Sequence, residues 1–295
     1  MARNNKSRMA AHSVPEPPIA TAQDAGQANG SVGLSFVVPT EHIDLPSRGM
    51  FYDEQHPLHG QDTIEIRHMT ARDEEILTSR TLLKKGVAID KLLQTLIVDK
   101  RVKVDDLLIG DKNAILVMTR TLAYGAEYSA RVQCPHCGES SKFAFNLVSG
   151  KVVHPDDADN PEETGYTKVT DSTFGILLPK TKVLAEVKLL TGADENYLSR
   201  VIENRKKQKL LGLLGDSLLT EQMKRAIVSL NGVTDRAQIE QFVSNMPAAD
   251  SRHFRGVYGS LTPNYDLTQE FSCPACGESS DMEVPLTAEF FWPKS

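Results

Sequence analysis

Cys134-Pro135-His136-Cys137-Gly138-Glu139-Ser140-Ser141 and Cys273-Pro274-Ala275-Cys276-Gly277-Glu278-Ser279-Ser280 are one pattern written twice, 139 residues apart and identical at seven of eight positions. They hold all four cysteines of the chain. Two thiols three positions apart in a tight turn can point at one ion, and the glycine after the second cysteine tolerates the left-handed backbone that such a turn needs. Two turns of this kind supply four sulfurs at tetrahedral corners, the donor set that zinc favours. Cys134, Cys137, Cys273 and Cys276 are therefore the expected ligands of one Zn2+. With all four positions filled by protein, no bound water is left to activate, so the expected metal is structural. The 135 residues between Cys137 and Cys273 exceed the span of a compact zinc ribbon, which implies a split ribbon with one hairpin from each half of the chain. A thioredoxin-like redox pair fits less well, because neither pair opens a helix after a strand. Disulfides within each pair fit less well still. His136 is expected to face solvent between two ligands.

A second match lies upstream of each cysteine pair. Glu65-Ile66-Arg67-His68-Met69-Thr70-Ala71-Arg72-Asp73-Glu74 sets against Glu186-Val187-Lys188-Leu189-Leu190-Thr191-Gly192-Ala193-Asp194-Glu195 at an offset of 121 residues. Glu, Thr, Asp and Glu coincide, three further positions are chemically similar, and Leu77 lands on Leu198. Two matches in the same order imply a duplicated unit with about 18 extra residues in the helical middle of the second copy. The fold class read from this is α+β: two pseudo-repeats of strand–helices–strand, joined by a split zinc-ribbon-like site of four cysteines, behind a disordered N-terminal arm. The expected organisation is an arm at 1–33, a first repeat at 34–150, an acidic linker at 151–170 and a second repeat at 171–295.

Local patterns fill in the elements. Residues 35–39 and 63–67 are strand candidates around the Asp44-Leu45-Pro46-Ser47-Arg48-Gly49 turn cluster. Thr70 and Asp73 approximate a capping box. Ile89, Leu92, Leu93, Leu96 and Ile97 form one apolar helical face. Asp111 is expected to cap a helix that stops at Gly125, and residues 127–133 form a strand into the first cysteine pair. In the second half, 185–190 and 265–272 read as strands. Residues 194–205 and 221–230 read as helices, and Thr234 caps another helix carrying Ile239, Phe242 and Val243.

Composition narrows the function classes. The chain has 295 residues, is 24% charged and carries a net charge of −6, which argues against a broad phosphate-binding surface. Arg205, Lys206, Lys207 and Lys209 form the densest basic run, and a solvated helix face explains it. No apolar run approaches the ~20 residues needed to span a bilayer. Residues 1–30 lack the apolar core of a secretory signal. Reduced thiols in the cytoplasm are expected.

Catalytic motifs are missing: there is no P-loop, H-E-x-x-H or G-x-S-x-G. Gly215-Asp216-Ser217-Leu218 and Asp250-Ser251-Arg252-His253 resemble the two blocks of GDSL serine hydrolases, but they stand too close together and in helical surroundings. Asp73, Glu74, Asp194 and Glu195 are accounted for as helix-start residues. The chain reads as a non-enzyme.

Asp44-Leu45-Pro46-Ser47-Arg48-Gly49-Met50-Phe51-Tyr52, followed by Ile64-Glu65-Ile66-Arg67-His68-Met69-Thr70 and Asp73-Glu74-Glu75, resembles the baseplate hub and baseplate assembly family of T-even-like tailed phages. The resemblance is clearest over residues 44–147, including Gly110-Asp111, Tyr124-Gly125 and the first cysteine pair. It implies a structural or assembly role in the tail baseplate, without catalysis. It implies other phage tail or baseplate proteins as partners, with self-association into a homo-oligomer compatible, and nucleic acid and membrane disfavoured. It places the protein in the host cytoplasm during assembly and in the virion tail baseplate if it stays there. The extended segment 45–52 is expected to pack across a neighbouring surface or subunit. The rival class is a zinc-ribbon nucleic-acid-binding protein that uses the 205–209 run.

Overall fold

Alternation in Thr-Ile-Glu-Ile-Arg places its two isoleucines on one face, and that face founds the first half. Strand β1 (Thr40–Asp44) pairs antiparallel with β2 (Thr63–Arg67), Ile43 opposite Ile64, and Ile43, Ile64 and Ile66 are all buried. A computed structural model of the chain describes residues 38–154, 165–209, 218–285 and 288–291. The N-terminal arm, most of the strand expected at 35–39, and the acidic core of the linker fall outside the described residues.

Helices α1 (Ala71–Thr78), α2 (Arg80–Lys84) and α3 (Ala88–Leu96) follow. The periodic apolar face read for α3 is the one buried, with Leu92, Leu93 and Leu96 fully enclosed. Helix α4 (Ile109–Tyr124) ends at Gly125, whose φ of +85° lets the chain turn into the next strand. Strands β3 (Glu127–Gln133) and β4 (Ser140–Asn146) then form a hairpin with the first cysteine pair at its tip, and β5 (Lys151–Val153) follows.

The second half is built on a four-stranded antiparallel sheet in the order β6 (Tyr166–Lys168), β7 (Thr173–Leu177), β8 (Leu184–Lys188), β9 (Ile227–Leu230). Between β8 and β9 lie α5 (Gly192–Lys209) and α6 (Leu218–Ala226). The helix expected at 221–230 is shorter at its C-terminal end. It ends at Ala226, and Ile227-Val228-Ser229-Leu230 becomes an edge strand because Ile227 and Leu230 are buried against β8. Helix α7 (Arg236–Ser244) is capped by Asp235, one residue after the expected Thr234, through a bond from the Gln238 N–H. Helix α8 (Ala248–Leu261), strand β10 (Asn264–Asp266) and the hairpin of β11 (Gln269–Ser272) with β12 (Ser279–Met282) complete the order, and the strand expected at 265–272 is thus broken in two. A short 3-10 turn, Ala288–Phe291, ends the described chain. Residues of both halves share one contiguous buried core. No helix among the described residues is long and apolar enough to cross a membrane.

The same contacts recur in both halves. After β2, Arg67 forms an ion pair with Asp73 at 2.7 Å while the Thr70 N–H donates to the same carboxylate. After β8, Lys188 reaches Asp194 at 2.6 Å and the Thr191 N–H donates to it. Leu45-Pro46 leaves β1 and Leu178-Pro179 leaves β7, and in each case the next N–H donates to a carboxylate buried in the first turn of a long helix: Ser47 to Asp111 (2.9 Å) and Lys180 to Asp250 (2.7 Å). Asp111 is therefore not the cap expected from sequence, and Asp250 matches it. They sit third in α4 and α8 and tie those helices to a distant loop.

The arms that leave the two hairpins cross over. The strand β5, after the first hairpin, pairs with β10 of the second half, and the Tyr265 hydroxyl donates to the Leu147 carbonyl. After the second hairpin, Phe290 packs edge-on against Tyr128 (5.0 Å), and its carbonyl accepts from Arg120 Nε of α4 at 2.9 Å.

Candidate metal centre

Each cysteine turn is built by its hairpin. In the first, Gln133 pairs with Ser140, the Cys134 N–H donates to the Glu139 carbonyl, and the Gly138 N–H donates to the Cys134 carbonyl, both at 2.9 Å. In the second, Ser272 pairs with Ser279, and Cys273 and Gly277 make the same two bonds at 2.9 Å. Gly138 and Gly277 have φ of +75° and +76°, the region that favours glycine.

The two hairpins pack side by side with their cysteine tips together. Phe143 packs edge-on against Phe271 at 5.3 Å, and the side-chain amide of Gln269 exchanges two hydrogen bonds with the Asn146 backbone. The four sulfurs then lie within 4.8 Å of one another. Cys134 Sγ is 3.8 Å from Cys276 Sγ, and Cys137 Sγ is 3.7 Å from Cys273 Sγ. A disulfide would need about 2.05 Å. Four thiolates each about 2.3 Å from a tetrahedral ion stand about 3.8 Å apart, so the spacing fits a shared ion. Cys134 and Cys273 are buried; Cys137, Cys276 and His136 are exposed. No histidine or carboxylate joins the cluster among the described residues.

The electrostatics point the same way. N–H groups of Cys137 and His136 hold the Cys134 thiol below its ordinary range, and those of Cys276 and Ala275 bring Cys273 down to about 7. The Glu139 N–H acts to lower Cys137, but partial desolvation and the Cys134 and Cys273 thiols outweigh it and the net shift is upward. The Glu278 N–H acts likewise on Cys276, which partial desolvation and the Cys273, Cys137 and Cys134 thiols push up to about 12. Four thiols this close cannot all ionise on their own; a cation that binds all four would remove that conflict.

The model of the T4 bacteriophage base plate protein family matches residues 42–292. The chain belongs to that family. Its role is accordingly structural or in assembly of the phage base plate, with other tail proteins as its partners. No curated protein and no solved structure matches the chain.

The Leu45–Tyr52 segment, expected from sequence to pack across a neighbouring surface or subunit, packs on the chain's own α4. Leu45, Ser47 and Tyr52 are buried. Ser47 donates to Asp111 through its N–H (2.9 Å) and its hydroxyl (2.6 Å), and the Tyr52 hydroxyl donates to Asp111 at 2.7 Å while accepting from the Leu108 N–H. Burial drives the Asp111 carboxyl upward, and the Ser47 and Tyr52 donors pull against it. Phe51 reaches into the second half, edge-on to Phe174 at 5.6 Å. The repeated Leu-Pro dipeptide after β1 and β7 was the sequence signal for these anchors.

Of the two hydrolase-like blocks, Gly215-Asp216-Ser217 lies outside the described residues. Both carboxylate oxygens of Asp250 are occupied by the N–H groups of Lys180 and Thr181. Helix α5 includes the 205–209 run, whose side chains are outside the described residues.

Proposed function

We propose that this protein is a structural or assembly component of the phage baseplate hub, in which one zinc ion on Cys134, Cys137, Cys273 and Cys276 clamps two copies of a duplicated unit. The observation that carries the reading is the convergence of four sulfurs, two from each near-identical hairpin, at the spacing of a tetrahedral thiolate site. The contact pattern supports a pseudo-twofold relation. The first cysteine of each turn faces the second cysteine of the other, so exchanging the hairpins reproduces both contacts. The paired anchors Asp73 with Asp194 and Asp111 with Asp250 obey the same exchange, as do the crossed arms. The repeats run over residues 34–150 and 171–295, joined by the acidic linker.

In this reading the metal does no chemistry. It fixes the geometry of a rigid block that binds other tail proteins in the host cytoplasm while the baseplate assembles. The test is affinity capture of the tagged protein from infected cells, together with the protein content of purified virions. Baseplate proteins should co-purify, and the virion content separates a resident subunit from an assembly chaperone. Capture without any tail protein, with salt-dependent binding of DNA or RNA instead, would favour the nucleic-acid reading and defeat this one.

A further inference from the structure

Two buried hydroxyls beside the cysteine turns have no hydrogen-bond partner: Ser141 Oγ and Ser280 Oγ. They occupy the same place in the two hairpins. Ser141 stands opposite Val132 and Ser280 opposite Phe271, both buried, so each serine lies on the inward face of its hairpin. Cys134 and Cys273 follow two residues after Val132 and Phe271, and both are buried as well. The neighbouring Ser279 makes the contrast: it is exposed, and its hydroxyl is bonded to Ser272 at 2.9 Å. A buried hydroxyl left unpaired is unfavourable, and its appearance at two equivalent positions needs a reason.

Charge supplies one. Four thiolates around one divalent cation leave two excess negative charges in a partly buried site. Backbone N–H groups of His136, Cys137, Glu139, Ala275, Cys276 and Glu278 already face the sulfurs. Two further donors on the inward face would complete that shell.

We propose that Ser141 and Ser280 are positioning residues of the four-cysteine centre: neither hydroxyl is bonded to a sulfur as the side chains stand, and each turns to donate to a cysteine sulfur when a divalent metal is bound. This rests on the metal reading above. Neither serine touches the ion. Each acts through the thiolates, restraining their orientation and drawing off part of their charge.

The test uses the full chain loaded with cobalt(II), whose thiolate-to-metal charge-transfer band reports electron density on sulfur, and zinc retention against a chelator. Ser141→Ala and Ser280→Ala should each loosen metal retention by about tenfold, the low end for loss of a second-layer hydrogen bond, and should shift the band. Ser141→Thr and Ser280→Thr keep a hydroxyl and should restore both readouts. A merely structural serine would change the melting temperature without moving the band. If the double alanine variant loads cobalt with an unchanged band and unchanged retention, this inference is overturned while the metal site stands. If the wild-type chain takes up no cobalt, the metal reading fails and carries this one with it.

Discussion

Replacing Asp111 probes the contact that holds the Leu45–Tyr52 loop to α4. The carboxylate is fully buried and accepts three hydrogen bonds, from the Ser47 N–H, the Ser47 hydroxyl and the Tyr52 hydroxyl. Bonds to a charged acceptor contribute roughly 1.5–3 kcal/mol each. Part of that sum is offset by the cost of burying the carboxylate, the same effect that raises its pKa. For Asp111→Ala the net loss should be about 3–5 kcal/mol, because the Ser47 N–H is left buried without an acceptor. At about 3 °C per kcal/mol for a chain of this size, the melting temperature should fall by about 9–15 °C. Asp111→Asn should cost far less, about 1 kcal/mol: its carbonyl still accepts from the Ser47 N–H, and the two hydroxyls can rotate to accept from its amide. The pH dependence has a definite sign. A folded-state pKa above the unfolded one means that ionisation costs stability, so the advantage of wild type over Asp111→Asn should shrink as pH rises from about 4 through the raised value. Urea titrations of both variants across pH measure this. If Asp111→Ala unfolds within about 1 kcal/mol of wild type, or if Asn and Ala cost the same, the Asp111 contact does not hold the loop as described.

The twin anchor should behave differently: both partners of Asp250 are backbone N–H groups that cannot accept, so Asp250→Asn should lower the melting temperature more than Asp111→Asn. Asp73 loses proton affinity through Arg67 and Thr70 against the opposing effect of burial, and its pKa falls to about 2. Its contribution to stability should therefore be intact above the unfolded value of about 3.9 and disappear as pH falls through about 2, seen as convergence of wild type and Asp73→Ala in acid denaturation. Lys112 is buried between Asp90 (2.6 Å) and Glu195 (2.8 Å) across the two halves. Lys112→Ala should destabilise by about 3 kcal/mol in urea because it leaves the Asp90 carboxylate without a counter-ion, held only by the Asn196 amide. Gly110 lies where an added Cβ would fall 1.9 Å from the Pro263 carbonyl oxygen, so Gly110→Ala should force α4 away from the chain before β10 and lower the melting temperature.

The parts legible in sequence are those whose signal is local or repeated. The β2 strand follows from five alternating residues, and α3 from one apolar face. The cysteine turns follow from a pattern written twice, which is why the four residues that converge could be named beforehand. What stayed hidden depends on distant partners. Ile227-Val228-Ser229-Leu230 continues a helical pattern and becomes a strand only because β8 is there to pair with it. Thr173–Leu177 and Tyr166–Lys168 are short, and they gain their place from the sheet they complete. Asp111 looks like a helix cap because acids favour the start of a helix; its actual partner is 64 residues away, and that of Asp250 is 70 residues away. The crossing of the arms left no local trace, since Lys151–Val153 and the 288–291 segment find their partners in the opposite half.

Native mass spectrometry of the intact chain counts the bound ions. One zinc per chain is expected, lost on substituting serine for Cys134 or Cys137 and equally for Cys273 or Cys276, because both hairpins hold the same ion. A chain with no metal, or one that keeps its metal when either pair is removed, would contradict a shared ion.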